Sequence, residues 1–209
     1  MSKLQLRFNY QKSTQALNLF AIKQGGQINK MKALKLIFLA DRYHLRKYGR
    51  LITNDTYVAM KHGPVPSAAR DIAESNDYLD EAEKSYSSRY VEPNNLSLIS
   101  KKKVDATVFS ESDLEALNFA WSNFGHYDQF QLRDITHSYP EWKKHSSIVN
   151  YGSFINMKIL DFLKDPIEPV DKSLDLDEQV HKTFQLSDED RILRREELEE
   201  RSLIESLWR

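Results

Sequence analysis

Apolar side chains recur at helical spacing through most of this chain and at strand spacing in only a few short runs. In residues 14–24, Leu17, Phe20 and Ala21 share one face, and Gly25-Gly26 closes the segment as a helix C-terminus does. The strongest pattern runs from Asn29, a residue type suited to an N-cap, to Tyr48, with Gly49 just past its end. At about 100° per residue, Leu34, Ile37, Phe38, Leu45 and Tyr48 fill one side of this helix. Lys32, Lys35, Arg42 and Arg46 form a narrow stripe opposite, which reads as the solvated face. Asp41 falls amid the apolar side and His44 lies one turn on, near its edge. A carboxylate placed there needs donors, because burying a polar group without them costs about 2–7 kcal/mol.

Beyond this helix the pattern shortens. Thr53-Asn54-Asp55 predicts a turn in which Asn54 takes the left-handed conformation, and Thr56–Met60 a short strand. His62-Gly63-Pro64-Val65-Pro66 predicts a loop with few conformations to lose, since each proline fixes its own φ and restrains the residue before it. A helix capped near Ser67 and ending near Asn76 follows. Residues 89–92 and 96–100 read as strands separated by Pro93-Asn94-Asn95, which with Thr56–Met60 predict one small antiparallel sheet. Ser110 and Asp113 have capping-box spacing and open a helix carrying Leu114, Leu117, Trp121 and Phe124, closed by Gly125. A short helix passes through Phe130 and Ile135, and Pro140 stands near the first position of another. Residues 153–163 predict a last core helix, stopped by Asp165-Pro166.

The fold class expected is therefore mainly α with a small antiparallel β-sheet (α+β): a compact helical domain over residues 1–165. Residues 166–186, with scattered charge and weak periodicity, read as a linker. Ser187 then caps a charged, amphipathic helical tail in which Ile192, Leu193, Leu203, Ile204, Leu207 and Trp208 fall within one broad face. An isolated helix of this length is marginal in water, so the strip is expected to dock on a partner or on the body of the protein.

Composition narrows the chemistry. Hydrophobic residues make up 40% of the chain, enough to bury a core, so a disordered reading fails. The formal net charge of -1 is unevenly placed: residues 171–209 hold seven basic against twelve acidic residues, leaving a mildly basic body. That balance argues against nucleic acid as the main partner, since phosphate binding calls for a denser basic patch. With no cysteine there is no disulfide framework, thiolate nucleophile or cysteine-based zinc site. The N-terminus lacks the apolar core of a signal peptide, and no stretch is long and apolar enough to span a bilayer, so a cytoplasmic protein without membrane contact is expected.

No phosphate-binding loop, dinucleotide fingerprint, HExxH or GxSxG occurs. Asp41 and His44, three apart on one helix face, could act as metal ligands or an acid–base pair in a hydrolase, with His62, His137 and His145 joining them in space. No third ligand has diagnostic spacing, and the favoured reading is a buried carboxylate holding a loop amide or a tyrosine hydroxyl, with no cofactor, no metal and no catalytic residue. The 62–66 loop is either a partner-binding edge or a rigid connector. The basic stripe, if it met phosphates, would make helices 14–24 and 29–48 a helix-turn-helix DNA-binding regulator. Trp121 and Trp142 are read as core, whereas Trp208 in the tail is a contact candidate.

One combination of residues is more specific than any single piece. Phe38-Leu39-Ala40-Asp41, His44-Leu45, Lys47-Tyr48-Gly49-Arg50, Ile52-Thr53, Asp55, Tyr57, Ala59-Met60 and Gly63-Pro64-Val65-Pro66-Ser67, with Thr136-His137 and Trp142 later, resemble the signature of the SocA-like antitoxin family, or Panacea-domain proteins. Asn54 stands where members commonly carry glycine, a change that a residue tolerant of the left-handed region absorbs. The resemblance covers about residues 14–163. It implies a helical domain with a small sheet that neutralises a partner toxin of a bacterial or prophage toxin–antitoxin pair by direct binding; in the namesake's case it implies an adaptor that delivers the toxin to a protease. The partner-binding residues expected are His62, Gly63, Pro64, Val65 and Pro66 together with Leu207 and Trp208. Asp41, His44, Tyr48, Gly49, Arg50, Asp55, Tyr57, Met60, His137 and Trp142 are the family-signature positions.

Overall fold

A nineteen-residue helix, α2 (Lys30–Tyr48), runs through the middle of the protein, and elements from both ends of the chain pack against it. The computed structural model describes residue 4 and residues 6–149, 154–166 and 185–207. Both ends of α2 follow from local chemistry: the Asn29 side chain accepts from the Lys32 amide, and Gly49 takes the left-handed conformation at φ 65° while donating to Leu45. Leu36, Ile37, Phe38, Ala40 and Leu45 are buried, and so are Lys32, Lys35, Arg42 and Arg46 on the opposite side, none more than 8% exposed. The stripe read as solvated is thus interior. Each of its cations reaches a main-chain carbonyl on another segment.

Helix α1 (Tyr10–Lys23) leads into α2 through the short strand β1 (Gln27–Asn29). After α2, β2 (Tyr57–Met60) turns at Lys61-His62 into β3 (Gly63–Pro66), and α3 (Ser67–Glu74) and α4 (Glu81–Ser87) follow. Strands β4 (Val91–Asn94) and β5 (Ser97–Ser100) form a hairpin with Asn95 at φ 49°. Helix α5 (Glu111–Phe124) opens with the Ser110/Asp113 capping box and packs most extensively on α2. Short helices α6 (Gln129–His137), α7 (Pro140–Lys143) and α8 (Ser146–Val149) lead to β6 (Ile155–Asn156) and a 3-10 turn at Ile159–Leu163. Helix α9 (Asp188–Leu207) lies against α2 and that turn.

The fold is mainly α with antiparallel β, but the single sheet expected is two. One has the order β1-β5-β4 and the other β3-β2-β6, all pairs antiparallel. Residues 155–163 are a strand and a 3-10 turn rather than a helix: the Met157 amide donates to the Tyr57 carbonyl (2.8 Å), so pairing with β2 outweighs a helical pattern that short apolar runs satisfy only loosely. The 62–66 segment is mostly strand rather than loop. Its register pairs Val58 with Val65 and Met60 with Gly63, which leaves Pro64 and Pro66 at positions whose nitrogens point away from β2, where a missing amide costs no ladder bond. Most of the 166–186 stretch, and Trp208, lie outside the described residues.

Candidate functional site

Asp41 is fully buried and its two carboxylate oxygens are saturated. Oδ1 accepts from the amides of Ile52 (2.6 Å) and Thr53 (3.2 Å), and Oδ2 from the hydroxyls of Thr53 (2.5 Å) and Tyr57 (2.8 Å). Burial raises its pKa, and these four hydrogen bonds oppose the rise. The carboxylate therefore fixes the 51–57 turn, in which Asn54 sits at φ 54°, against the middle of α2. Asp55, on the same turn, accepts from the amides of Ala68 (2.9 Å) and Ala69 (2.8 Å). That bond takes the capping role at α3 expected of Ser67, because residue 66, at the cap position, is a proline with no side-chain acceptor. Burial pushes the Asp55 carboxyl up to about 7.

His44 belongs to a second cluster. Its Nδ1 donates to the Arg50 carbonyl (2.7 Å), which leaves Nε2 as an acceptor for the Ser112 hydroxyl (3.1 Å). Asp113 Oδ1 stands 3.4 Å from that Nε2 and 2.8 Å from Arg50, while Oδ2 accepts from Lys12 (2.6 Å). Burial lowers the imidazole pKa to about 4, so the ring is neutral. Asp41 and His44 thus face different partners, and both are buried. Among the described residues, no three His, Asp or Glu side chains converge as a metal site would require.

The basic stripe binds the rest of the chain to α2. Lys32 Nζ donates to the Gly125 carbonyl at the end of α5 (2.7 Å), and Lys35 Nζ to the Pro64 carbonyl on β3 (2.7 Å). Arg42 pairs with Glu141 (2.7 Å), both wholly buried, lies over the Tyr139 ring and reaches the Lys164 carbonyl (2.9 Å). Arg46 donates to the Phe162 (3.1 Å) and Lys164 (3.2 Å) carbonyls and pairs with Asp165 (2.5 Å). Burial lowers the Lys35 pKa well below its ordinary value and that of Arg46 to about 10. These groups are committed inside the fold and do not form the exposed stripe on which the helix-turn-helix reading rested.

The other signature positions close the same framework. Tyr48 donates to Glu115, which also accepts from Lys47 and Tyr43, and Gly49 lies directly under Glu197 of α9, where a Cβ would collide. Trp142 Nε1 donates to the Met60 carbonyl (2.9 Å), and the His137 ring stacks on the Trp142 indole at 3.6 Å between centroids. Burial, with Lys35 next in effect, lowers His137 to about 4. Gly63, at φ 101°, faces Lys35 Nζ and Thr136 Oγ1, and His137 lies within electrostatic reach of both Lys35 and His62. Gly63, Pro64, Val65 and Pro66 are buried, and only Lys61 and His62 at the hairpin tip are exposed. The Glu141, Asp113 and Glu115 partners were missed by sequence reading; of these only Asp113 carried a signal, its capping-box spacing.

A mainly α domain closed by buried polar contacts around one helix is thus the class of protein on the page. The chain belongs to the antitoxin SocA-like, Panacea-domain family, whose model matches residues 34–143. Neither the curated proteins nor the solved structures include a match to it. Among the described residues, no helix is long and apolar enough to cross a membrane.

Proposed function

We propose that this chain is the antitoxin of a bacterial or prophage toxin–antitoxin pair, neutralising a partner toxin by direct protein–protein binding in the cytoplasm, with no catalysis of its own. The observation that carries this reading is the family match over residues 34–143, which takes in most of α2, the β2–β3 hairpin and α5. The geometry supports it: Asp41, His44, Arg42 and Glu141 are occupied by one another's segments, so recognition falls to the surface. On the matched domain the hairpin tip, His62 with Lys61, is the proposed contact, and Gly63–Pro66 hold it rigid, which lowers the entropy lost on binding. Leu207 and Trp208 in the tail are the second proposed contact. Within the same reading, neutralisation proceeds either by blocking the toxin or by delivering it to a protease.

The test is co-expression. The reading frame beside this gene should arrest growth when expressed alone and not when expressed with this protein, and the two should co-purify. His62→Ala should weaken the complex about tenfold without moving the thermal midpoint. If the neighbouring product is harmless, or is toxic and unrelieved, the antitoxin reading fails. Toxin levels separate the two mechanisms: unchanged for blocking, reduced in a protease-dependent way for delivery.

A further inference from the structure

Helix α9 is attached to the protein by its polar side. Leu198, fully buried, and Ser202 face α2 and the 159–163 turn. Around them Arg191 donates to the Leu163 carbonyl (3.1 Å) and to Asp165 (2.9 Å), and Glu205 accepts from the Arg7 amide (2.6 Å). The five other large apolar residues of the helix, Ile192, Leu193, Leu203, Ile204 and Leu207, are 46–74% exposed. At about 100° per residue they fall within about 60° of the line opposite Leu198. Glu189, Glu196 and Glu200 lie on the same outer face, and all are exposed. An amphipathic helix settled on its own domain would turn its apolar side inward. This one does the reverse.

We propose that the outer face of α9 is a docking surface for a basic partner protein, read as two apolar clusters with carboxylates between them. Ile192 and Leu193 form one cluster and Leu203, Ile204 and Leu207 the other, eleven residues or about 16 Å apart along the axis, bracketing Glu196 and Glu200. The complement is a surface with two apolar sites at that separation and lysine or arginine in the gap, which is helix-in-groove recognition with charge matching. Charge decides against the other occupants. Asp188–Leu207 holds eight acidic and four basic residues, the wrong sign for an anionic membrane or a nucleic acid. A second copy aligned antiparallel, with its clusters in register, would set Glu196 against Glu200, and in parallel Glu196 against Glu196. The surface lies outside residues 34–143; it shares Leu207 with the proposed toxin contact, but its test uses no toxin and stands apart from that reading.

The probe is a labelled 20-residue helical peptide carrying two leucine clusters eleven residues apart with lysines between, titrated into the full chain and followed by fluorescence anisotropy. Binding should weaken about tenfold when the peptide leucines become alanine, and about tenfold again against the protein variant Leu193→Ser/Ile204→Ser, which keeps every charge. Glu196→Gln/Glu200→Gln should weaken binding at low salt and match the wild type at high salt. The thermal midpoints of both variants should equal that of the wild type, since all four side chains are among the exposed ones of the helix. No binding by the wild type, equal binding by the variants, or a fall in midpoint for the serine variant would overturn the proposal. So would a concentration-dependent dimer in sedimentation that the serine variant abolishes, which would assign the face to a second copy.

Discussion

Asp41 shows what one buried carboxylate contributes when all its donors are local. Asp41→Ala would leave two amides and two hydroxyls without an acceptor in a site closed to water, so a loss of about 3–5 kcal/mol is expected, read as a lower urea midpoint. Asp41→Asn keeps one acceptor oxygen, and the hydroxyls of Thr53 and Tyr57 can rotate to accept from its NH2, so it should cost clearly less. Equal midpoints for wild type and the alanine variant would contradict this account. His44 makes a pH-dependent contribution of opposite logic. Its folded pKa, about 4, lies below the unfolded value, so the native state binds fewer protons, and stability is complete above about pH 6.5 and lost as pH falls towards 4. The full shift corresponds to about 3 kcal/mol. Asp55, pushed up to about 7, acts the other way over the same range, so the check is the difference between wild type and His44→Asn: the slope of unfolding free energy against pH between pH 4 and 6.5 should shift toward negative values in the variant, where the Asp55 contribution is left unopposed. Asp41 was legible because its donors lie within sixteen residues and include the turn amides and the tyrosine that follow it. Arg42 was not, because Glu141 is ninety-nine residues away and nothing local distinguishes a cation bound for an interior carboxylate from one bound for water.

Among elements, those whose ends are set by nearby residues were readable. Asn29 and Gly49 bound α2, and Ser110 with Asp113 starts α5, because caps act within a few residues. Elements defined by a distant partner were not: β1 exists because Gln27–Asn29 pairs with Ser97–Ile99, and β6 because it pairs with β2. The β2–β3 hairpin falls between these cases. Its prolines announce rigidity, but that their nitrogens point away from β2 depends on register, and that the Pro64 carbonyl receives Lys35 depends on the fold. Gly63 is the point where the hairpin is least tolerant. At φ 101° an added Cβ would stand 2.6 Å from Lys35 Nζ and 2.9 Å from Thr136 Oγ1. Gly63→Ala should therefore destabilise by about 1–3 kcal/mol, part from backbone strain and part from displacing the lysine. Adding Lys35→Met should restore only the second part, because the φ remains; full rescue in the double variant would show that the strain is absent.

At the scale of the molecule, the amphipathicity of the tail was plain in the sequence, but which side meets the body was not, because hydropathy alone points the apolar strip inward. The structure sets Leu198 and the Arg191–Asp165 and Arg7–Glu205 contacts inward instead, and Arg46, from the central stripe, shares Asp165 with Arg191. The tail is thereby linked to the stability of α2. Leu198 is fully buried, and the small size of Gly49 lets the adjoining Glu197 approach α2. Leu198→Ala should cost about 2–3 kcal/mol, which in a chain of this size lowers the thermal midpoint by roughly 4–12 °C. Ending the chain after Leu186 should lower it at least as far, since it also removes the Arg191 bonds, and should quicken amide exchange in the last turn of α2. Leu193→Ser/Ile204→Ser, three turns apart on the other side, should leave the midpoint in place. The contrast tests orientation as well as attachment. A truncated chain melting with the wild type would mean that α9 does not rest on α2, and a serine variant melting like Leu198→Ala would mean that the helix lies the other way round.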